Sequence, residues 1–127
     1  MSYLRVLPLA ALAAACVLAA PAGASPGPFT YRAVVGKFGV LGRHGAGAVT
    51  SQMIGRGHYL VDFVTGIDTC TIVGTLSRAT KAGGAFEKPG YISATAADAG
   101  SSSVVVRTAD MRGRPRDYAF HLLVACP

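Results

Sequence analysis

Four arginines in one short stretch are the residues of this chain best suited to chemistry, and that chemistry is anion binding. Arg107, Arg112, Arg114 and Arg116 lie within the segment 107–116, and guanidinium groups bind phosphates and carboxylates through paired hydrogen bonds. If the flanking segments form a β-hairpin, three of these arginines crowd its tip. The tip is therefore a candidate anion-binding site.

The partner of such a tip would be a polyanion, either an anionic envelope polymer or another extracellular protein of acidic character. Nucleic acid is a third candidate. No aromatic residue interleaves with the arginines, which argues against single-stranded nucleic acid, because its binding proteins stack bases on aromatic rings. In the other interpretation, which the sequence favours, the segment is a solvated turn, with Asp110 and Asp117 as partial counterions.

The other ionisable side chains predict no enzyme. Most carboxylates stand beside turns, where acidic residues are common for backbone reasons, and their spacing pairs none of them for acid–base catalysis. The six are Asp62, Asp68, Glu87, Asp98, Asp110 and Asp117. We expect neither catalytic residues nor a bound cofactor.

The three histidines predict no metal site. His44, His58 and His121 lack the spacing of zinc ligands. Because side chains alternate along a strand, His121 is out of phase with Phe120 and Leu122 and should lie on the outer face or be half-buried.

Two glycine-rich segments invite functional interpretations. The segment 42–47, GRHGAG, fits neither dinucleotide-binding nor P-loop spacing, so we interpret it as a bend between strands. The segment Ser77–Gly90 is the longest irregular stretch and is basic. A protruding loop on a rigid scaffold would suit a secreted protease inhibitor, which is the alternative function.

The N-terminus resembles a signal peptide. Arg5 precedes an apolar run, and Ala22-Gly23-Ala24 offers small residues for cleavage. We expect residues 1–24 to be removed, leaving one domain over 25–127 with a net charge of +5, because Arg5 is the only charge lost. The alternatives are a lipid attached at Cys16 and an uncleaved anchor, for which the run is short.

Export would leave two cysteines, Cys70 and Cys126, in an oxidising compartment, so they should form a disulfide. The parity of side chains supports this pairing. Cys126 shares a strand face with Tyr118, Phe120, Leu122 and Val124, and Cys70 shares one with Ile72 and Leu76. Both cysteines therefore lie with the bulkier apolar side chains.

Turn-forming residues recur every eight to twelve positions after residue 25, which is typical of many short strands. Short glycine-containing connections at 55–57, 65–68 and 98–100 favour antiparallel neighbours. The sequence predicts an all-β fold, an antiparallel sandwich or small barrel of about seven strands. The predicted strands are Phe29–Val35, Ala46–Ile54, His58–Val64, Cys70–Leu76, Tyr91–Ala97, Ser103–Ala109 and Asp117–Cys126.

Several segments carry a recognisable pattern. It consists of G-x-Y-x-V-x-F at 57–63, CTIVGTL at 70–76, V-x-T-x-D at 106–110 and a closing F-H-L-x-V-x-C at 120–126. From about Val40 onward the chain resembles a family of small secreted β-domains from GC-rich bacteria, actinobacteria above all. The resemblance implies the β fold and the disulfide and supplies no activity. We therefore expect a non-enzymatic exported binding or envelope-associated domain.

Overall fold

The computed structural model describes residues 28–43, 45–77 and 89–127. Seven strands lie in these ranges and no helix does. The strands are β1 (Phe29–Val35), β2 (Ala48–Gly55), β3 (His58–Phe63), β4 (Thr71–Leu76), β5 (Gly90–Ala96), β6 (Ser103–Asp110) and β7 (Phe120–Cys126).

The strands form two antiparallel sheets, with the orders β1-β7-β4 and β2-β3-β6-β5. The inner faces of these sheets share one hydrophobic core, so the architecture is a β-sandwich. The predicted all-β, antiparallel, seven-stranded fold is confirmed.

Alternation of side chains along the strands builds this core. On β7, Phe120, Leu122 and Val124 are buried, whereas Leu123 between them is 44% exposed. β3 and β6 alternate in the same way, and Tyr59 of β3 meets Phe120 edge to face with ring centroids 5.1 Å apart. The period of two therefore decides which side chains stabilise the fold by leaving water.

Cys70 and Cys126 form the predicted disulfide, with Cα atoms 4.3 Å apart. Thr71 pairs with Ala125 across β4 and β7, so Cys70 comes opposite Cys126 one position further along. The separation is close to the roughly 4.5 Å of a non-hydrogen-bonded antiparallel pair. The bridge therefore joins neighbouring strands of one sheet and ties the C-terminal strand to the middle of the chain.

Two of the three short connections join antiparallel neighbours as predicted, namely 55–57 between β2 and β3 and 98–100 between β5 and β6. The connection 65–68 instead crosses from β3 in one sheet to β4 in the other. The hairpin between β6 and β7, on which the predicted crowding of the arginines depends, does not form. Each of these strands already has a strand neighbour on both edges within its own sheet, so no edge remains for the other.

Two strands begin later than predicted: β2 begins at Ala48 instead of Ala46, and β7 begins at Phe120 instead of Asp117. Residues before Phe120 contact the β2–β3 turn rather than extending β7, because Asp117 accepts a hydrogen bond from Gly57 N. Before Ala48, the backbone of Ala46 exchanges hydrogen bonds with Arg32 of β1. The remaining bounds differ by at most one residue.

Candidate anion-binding site

The arginine-rich connection after β6 is a tight turn organised by one carboxylate. Asp110 Oδ1 accepts hydrogen bonds from the backbone N–H of Arg112 (2.9 Å) and of Arg114 (3.0 Å). Arg114 Nε donates to Asp110 Oδ2 at 2.9 Å, and Arg116 Nε lies 3.7 Å from the same oxygen. Gly113 closes the turn with a left-handed backbone (φ 76°) and an N–H bond to Asp110 O.

These contacts set the charge state of Asp110. Desolvation raises the pKa of this carboxyl, but the backbone N–H donors of Arg114 and Arg112 and the Arg114 guanidinium outweigh it. The pKa therefore lies below its ordinary value, and the carboxylate is negative throughout the neutral range. Asp110 partly neutralises Arg114 and Arg116, as the solvated-turn alternative expects.

The β2–β3 turn brings a further cation to the same place. Gly57 N donates to Asp117 Oδ1 at 2.7 Å, and Thr108 N donates to Gly57 O at 2.8 Å. The backbone of Arg116 crosses so close to Gly57 that a Cβ atom there would lie 2.8 Å from Arg116 O. Arg56, the neighbour of Gly57, is thereby placed beside the arginine turn.

The connection between β1 and β2 supplies the fifth cation. Tyr59 is fully buried, and its hydroxyl donates to Lys37 O at 2.7 Å. This bond fixes the loop that carries Lys37 and Phe38, and Lys37 Nζ lies 4.9 Å from the centre of the Phe38 ring. A core tyrosine thus positions a surface lysine.

Together these segments line an open pocket of about 580 Å³, called here the basic pocket. Its cations are Lys37, Arg56, Arg112, Arg114 and Arg116, its carboxylates are Asp110 and Asp117, and its apolar lining is Phe38, Pro89, Met111 and Tyr118. The positive charges exceed the negative ones by three. The volume falls in the range of roughly 300–1,000 Å³ that small-ligand sites occupy.

Three of the four arginines predicted as an anion site line the basic pocket, and Arg107 does not. Arg107 is exposed on β6, opposite His58 and Ser93 in the ladders. Sequence reasoning missed Lys37 and Arg56, since both are distant along the chain. The only local signal was the predicted glycine turn at 55–57, which places Arg56 at an exposed tip without saying what it meets.

Two carboxylates outside the pocket, Asp62 and Asp68, accept hydrogen bonds from neighbouring groups of the protein. Asp62 accepts hydrogen bonds from Ser103 Oγ and from Thr50 Oγ1, the latter at 2.6 Å. These hydroxyls lower the pKa of Asp62 despite partial desolvation. Asp68 accepts a hydrogen bond from Gly100 N at 2.8 Å. Asp110 and Asp117 share the pocket, which their spacing alone did not indicate, and each already accepts protein donors.

The two described histidines lie in different sheets. His58 is partly buried on β3, and His121 is partly buried on β7, in line with the prediction for it. His44, Glu87 and most of the predicted inhibitory loop, 78–88, lie outside the described residues, as do residues 1–27. Within the described ranges, no three histidine, cysteine or acidic side chains are grouped to hold a metal ion.

The described part of the glycine-rich segment 42–47 bends back along β1. Gly42 N donates to Val34 O at 2.7 Å, and Ala46 N donates to Arg32 O at 2.8 Å. These glycine-rich backbone groups are therefore bonded to the sheet instead of forming a phosphate cradle. Nor does any helix of membrane-spanning length and hydropathy occur in the ranges that the structure describes.

Comparison with protein-family models, with curated proteins and with solved structures gave no match. The resemblance to small secreted bacterial β-domains therefore stays a prediction. The functional argument depends on the geometry of this chain alone.

Proposed function

We propose that this chain is the precursor of an exported, non-enzymatic binding domain that holds an anionic envelope polymer in the basic pocket. The observation that carries the proposal is the convergence of five cations from three separate connections on one pocket with three excess positive charges. Among the described residues, no carboxylate forms an ion pair with Lys37, Arg56 or Arg112. These three charges are available to a ligand.

The distribution of acidic residues supports the same proposal. Asp62, Asp68 and Asp98 lie towards the end of the sandwich that carries the disulfide, and the basic pocket lies at the other end. β7 separates the two ends by roughly 20 Å, at about 3.4 Å per residue. This separation of charge orients an approaching anion towards the basic pocket and raises its rate of association.

The compartment is consistent with such a partner. The disulfide indicates an oxidising environment, because such bonds persist mainly outside the cytosol. Export itself is inferred from the N-terminal sequence, which predicts cleavage after Ala24. Intact-mass measurement of the secreted protein should give a chain beginning at Ser25 or within a few residues of it. A lipid on Cys16 or a retained Met1 would contradict the inferred route.

The test of binding uses poly(glycerol phosphate), a polymer of repeated phosphodiesters, and a charge-reversed pocket. In the variant Arg56→Glu/Arg112→Glu, two cations that form no ion pair with a described carboxylate change sign. The matched control, Arg43→Glu/Arg107→Glu, makes the same change of four charge units at exposed arginines that do not line the pocket. We expect the pocket variant to lose binding and the control to retain most of it.

Salt dependence supplies a second criterion. Binding by several cations releases counterions from the polymer, so affinity should fall by orders of magnitude when salt rises fourfold from about 50 mM. Equal weakening by the two double variants would show that net charge, and not the pocket, attracts the polymer. Undiminished binding by the pocket variant would refute the proposal.

A further inference from the structure

Tyr118 holds a hydroxyl group for which the described residues provide no hydrogen bond, although the residue is only 8% exposed. Tyr118 lines the basic pocket, and its ring lies against Gly90, where a Cβ atom would come within 2.8 Å of Tyr118 Cε2. Buried phenols normally have a hydrogen-bond partner. Tyr118 therefore contributes to the pocket lining a phenol whose hydroxyl has no hydrogen-bond partner among the described residues.

A second feature of the pocket is its exposed apolar lining. Phe38 is 67% exposed and Met111 is 56% exposed, and both line the basic pocket. Single exposed apolar side chains are ordinary on protein surfaces. Two of them beside the same cations, however, favour a ligand with an apolar part, since a uniformly charged polymer segment gains nothing from them.

We infer that the basic pocket recognises a phosphomonoester carried on an apolar or ring-bearing group. This inference rests on the proposed anion-binding function and refines its chemistry: the phosphodiesters of a polymer are attracted by charge alone, whereas a phosphomonoester on an apolar group also uses Tyr118 and the apolar lining. A phosphomonoester carries about 1.5 to 2 negative charges at pH 7, which matches an excess of three positive charges better than a single carboxylate does. Tyr118 donates to a phosphoryl oxygen, and Phe38 and Met111 contact the group that bears the phosphate.

The first test measures the binding of phenyl phosphate by NMR titration to wild type and to Tyr118→Phe. Because hydrogen bonds to charged groups are the stronger ones, the variant should bind about tenfold more weakly. The control is Tyr91→Phe, at a tyrosine of β5 that is 56% exposed and does not line the pocket. Equal affinities for wild type and Tyr118→Phe would overturn the inference.

Thermal unfolding gives the same variant a readout independent of binding. Removing a hydroxyl that has no hydrogen-bond partner among the described residues should leave the melting temperature unchanged or slightly raised. A marked fall for Tyr118→Phe would show that the hydroxyl stabilises the fold, and would overturn its assignment to a ligand.

The second test separates the phosphoryl group from the group that carries it. Wild type should bind phenyl phosphate about fivefold more tightly than inorganic phosphate, as expected for partial burial of a ring. Phe38→Ala/Met111→Ala should abolish this preference and retain the affinity for inorganic phosphate, whereas the control Val64→Ala, at a 60% exposed valine outside the pocket, should change neither. A preference that survives in the double alanine variant would contradict the role of the apolar lining.

A third ligand tests the charge of the phosphoryl group. Phenyl methyl phosphate keeps the ring but has a single negative charge, so it should bind more weakly than phenyl phosphate. Equal binding of the two would refute selection of a monoester. Polymer binding that survives Arg56→Glu/Arg112→Glu overturns the proposed function, whereas insensitivity of phenyl phosphate to Tyr118→Phe overturns only the present inference.

Discussion

The two ends of the sandwich contain the same arrangement, a hairpin glycine bonded to an aspartate, but in different surroundings. At each end a hairpin contains a left-handed glycine, Gly57 with φ 60° and Gly100 with φ 73°. The N–H of each glycine donates to an aspartate from a connection that crosses between the sheets, Asp117 in one case and Asp68 in the other. At the disulfide end, Ile67 N also donates to Ser101 O at 2.9 Å.

The difference lies in what the hairpin glycine contacts. A Cβ atom on Gly100 would meet nothing within 4 Å, whereas one on Gly57 would lie 2.3 Å from Thr108 O. The hairpin at the basic end is therefore pressed against the arginine connection. Its aspartate is occupied by a backbone N–H, so it binds the turn instead of an arginine. Structural hydrogen bonding thus leaves the cations of the pocket in excess.

Removal of the disulfide should have the largest effect on stability. For a sequence separation of 56 residues, the chain-entropy model predicts that Cys70→Ala/Cys126→Ala lowers the free energy of unfolding by about 4 kcal/mol. Polymer binding should persist where the variant stays folded, because the pocket lies at the other end. Urea unfolding tests the first expectation, and an unchanged midpoint would show that the bridge has no structural role.

Replacing each of the two hairpin glycines should distinguish the two ends of the sandwich by the size of the stability loss. Gly57→Ala combines left-handed strain with a clash against backbone, so it should destabilise the protein by about 3 kcal/mol or more. Gly100→Ala meets open space and should cost only about 1–2 kcal/mol of conformational strain. Thermal melting of both variants makes the comparison. Equal losses would mean that the packing of Gly57 against residues 108 and 116 contributes nothing.

The aspartates that bind these glycines provide a smaller contrast. Asp117→Ala removes a part-buried hydrogen bond and Asp68→Ala an exposed one. We expect a loss of about 1–2 kcal/mol for the former, because it leaves Gly57 N without its partner, and less for the latter. Only Asp117→Ala should also change polymer binding, since it releases the turn that carries Arg56 and removes a negative charge from the pocket. Weaker binding by Asp68→Ala instead would contradict the assignment of the pocket to this end.

The sequence predicts the strands and the disulfide well because both depend on local patterns. Alternation puts Tyr118 and Phe120 on the inner face of the last segment, and both are buried. Counting cysteines and comparing their strand faces then pairs Cys70 with Cys126. Neither step needs to know which strands are neighbours.

Assembly of the candidate site depends on which strands and turns are adjacent in space, and the sequence does not predict this. Pairing β6 with β7 is reasonable from their proximity along the chain, but both edges of each strand are taken by others. Arg56 reaches the pocket through the contact of Gly57 with Asp117, and Lys37 through the hydroxyl of Tyr59. Both contacts join residues distant in sequence, so no local pattern predicts them.

The smallest expected effect concerns the charge of Asp110. Its folded-state pKa lies below the ordinary value of 3.8. The carboxylate therefore stabilises the folded protein above that value, and this stabilisation is lost as the pH falls through the folded-state pKa. Asp110→Asn imitates the protonated carboxyl, so it should lower the free energy of unfolding at pH 7 and have progressively less effect as the solution becomes more acidic.

The matched control for this prediction is Asp98→Asn at the other end of the sandwich. It removes the same charge from an exposed turn, where the Asp98 side chain accepts no hydrogen bond from any described residue. Urea unfolding of wild type and both variants at pH 7 and pH 3 should show a pH-dependent difference for Asp110→Asn alone. The same loss of stability for Asp110→Asn at both pH values would mean that the hydrogen-bond geometry of the side chain, rather than its charge, stabilises the turn. A similar pH dependence for Asp98→Asn would mean that net charge, rather than the arginine turn, determines the effect.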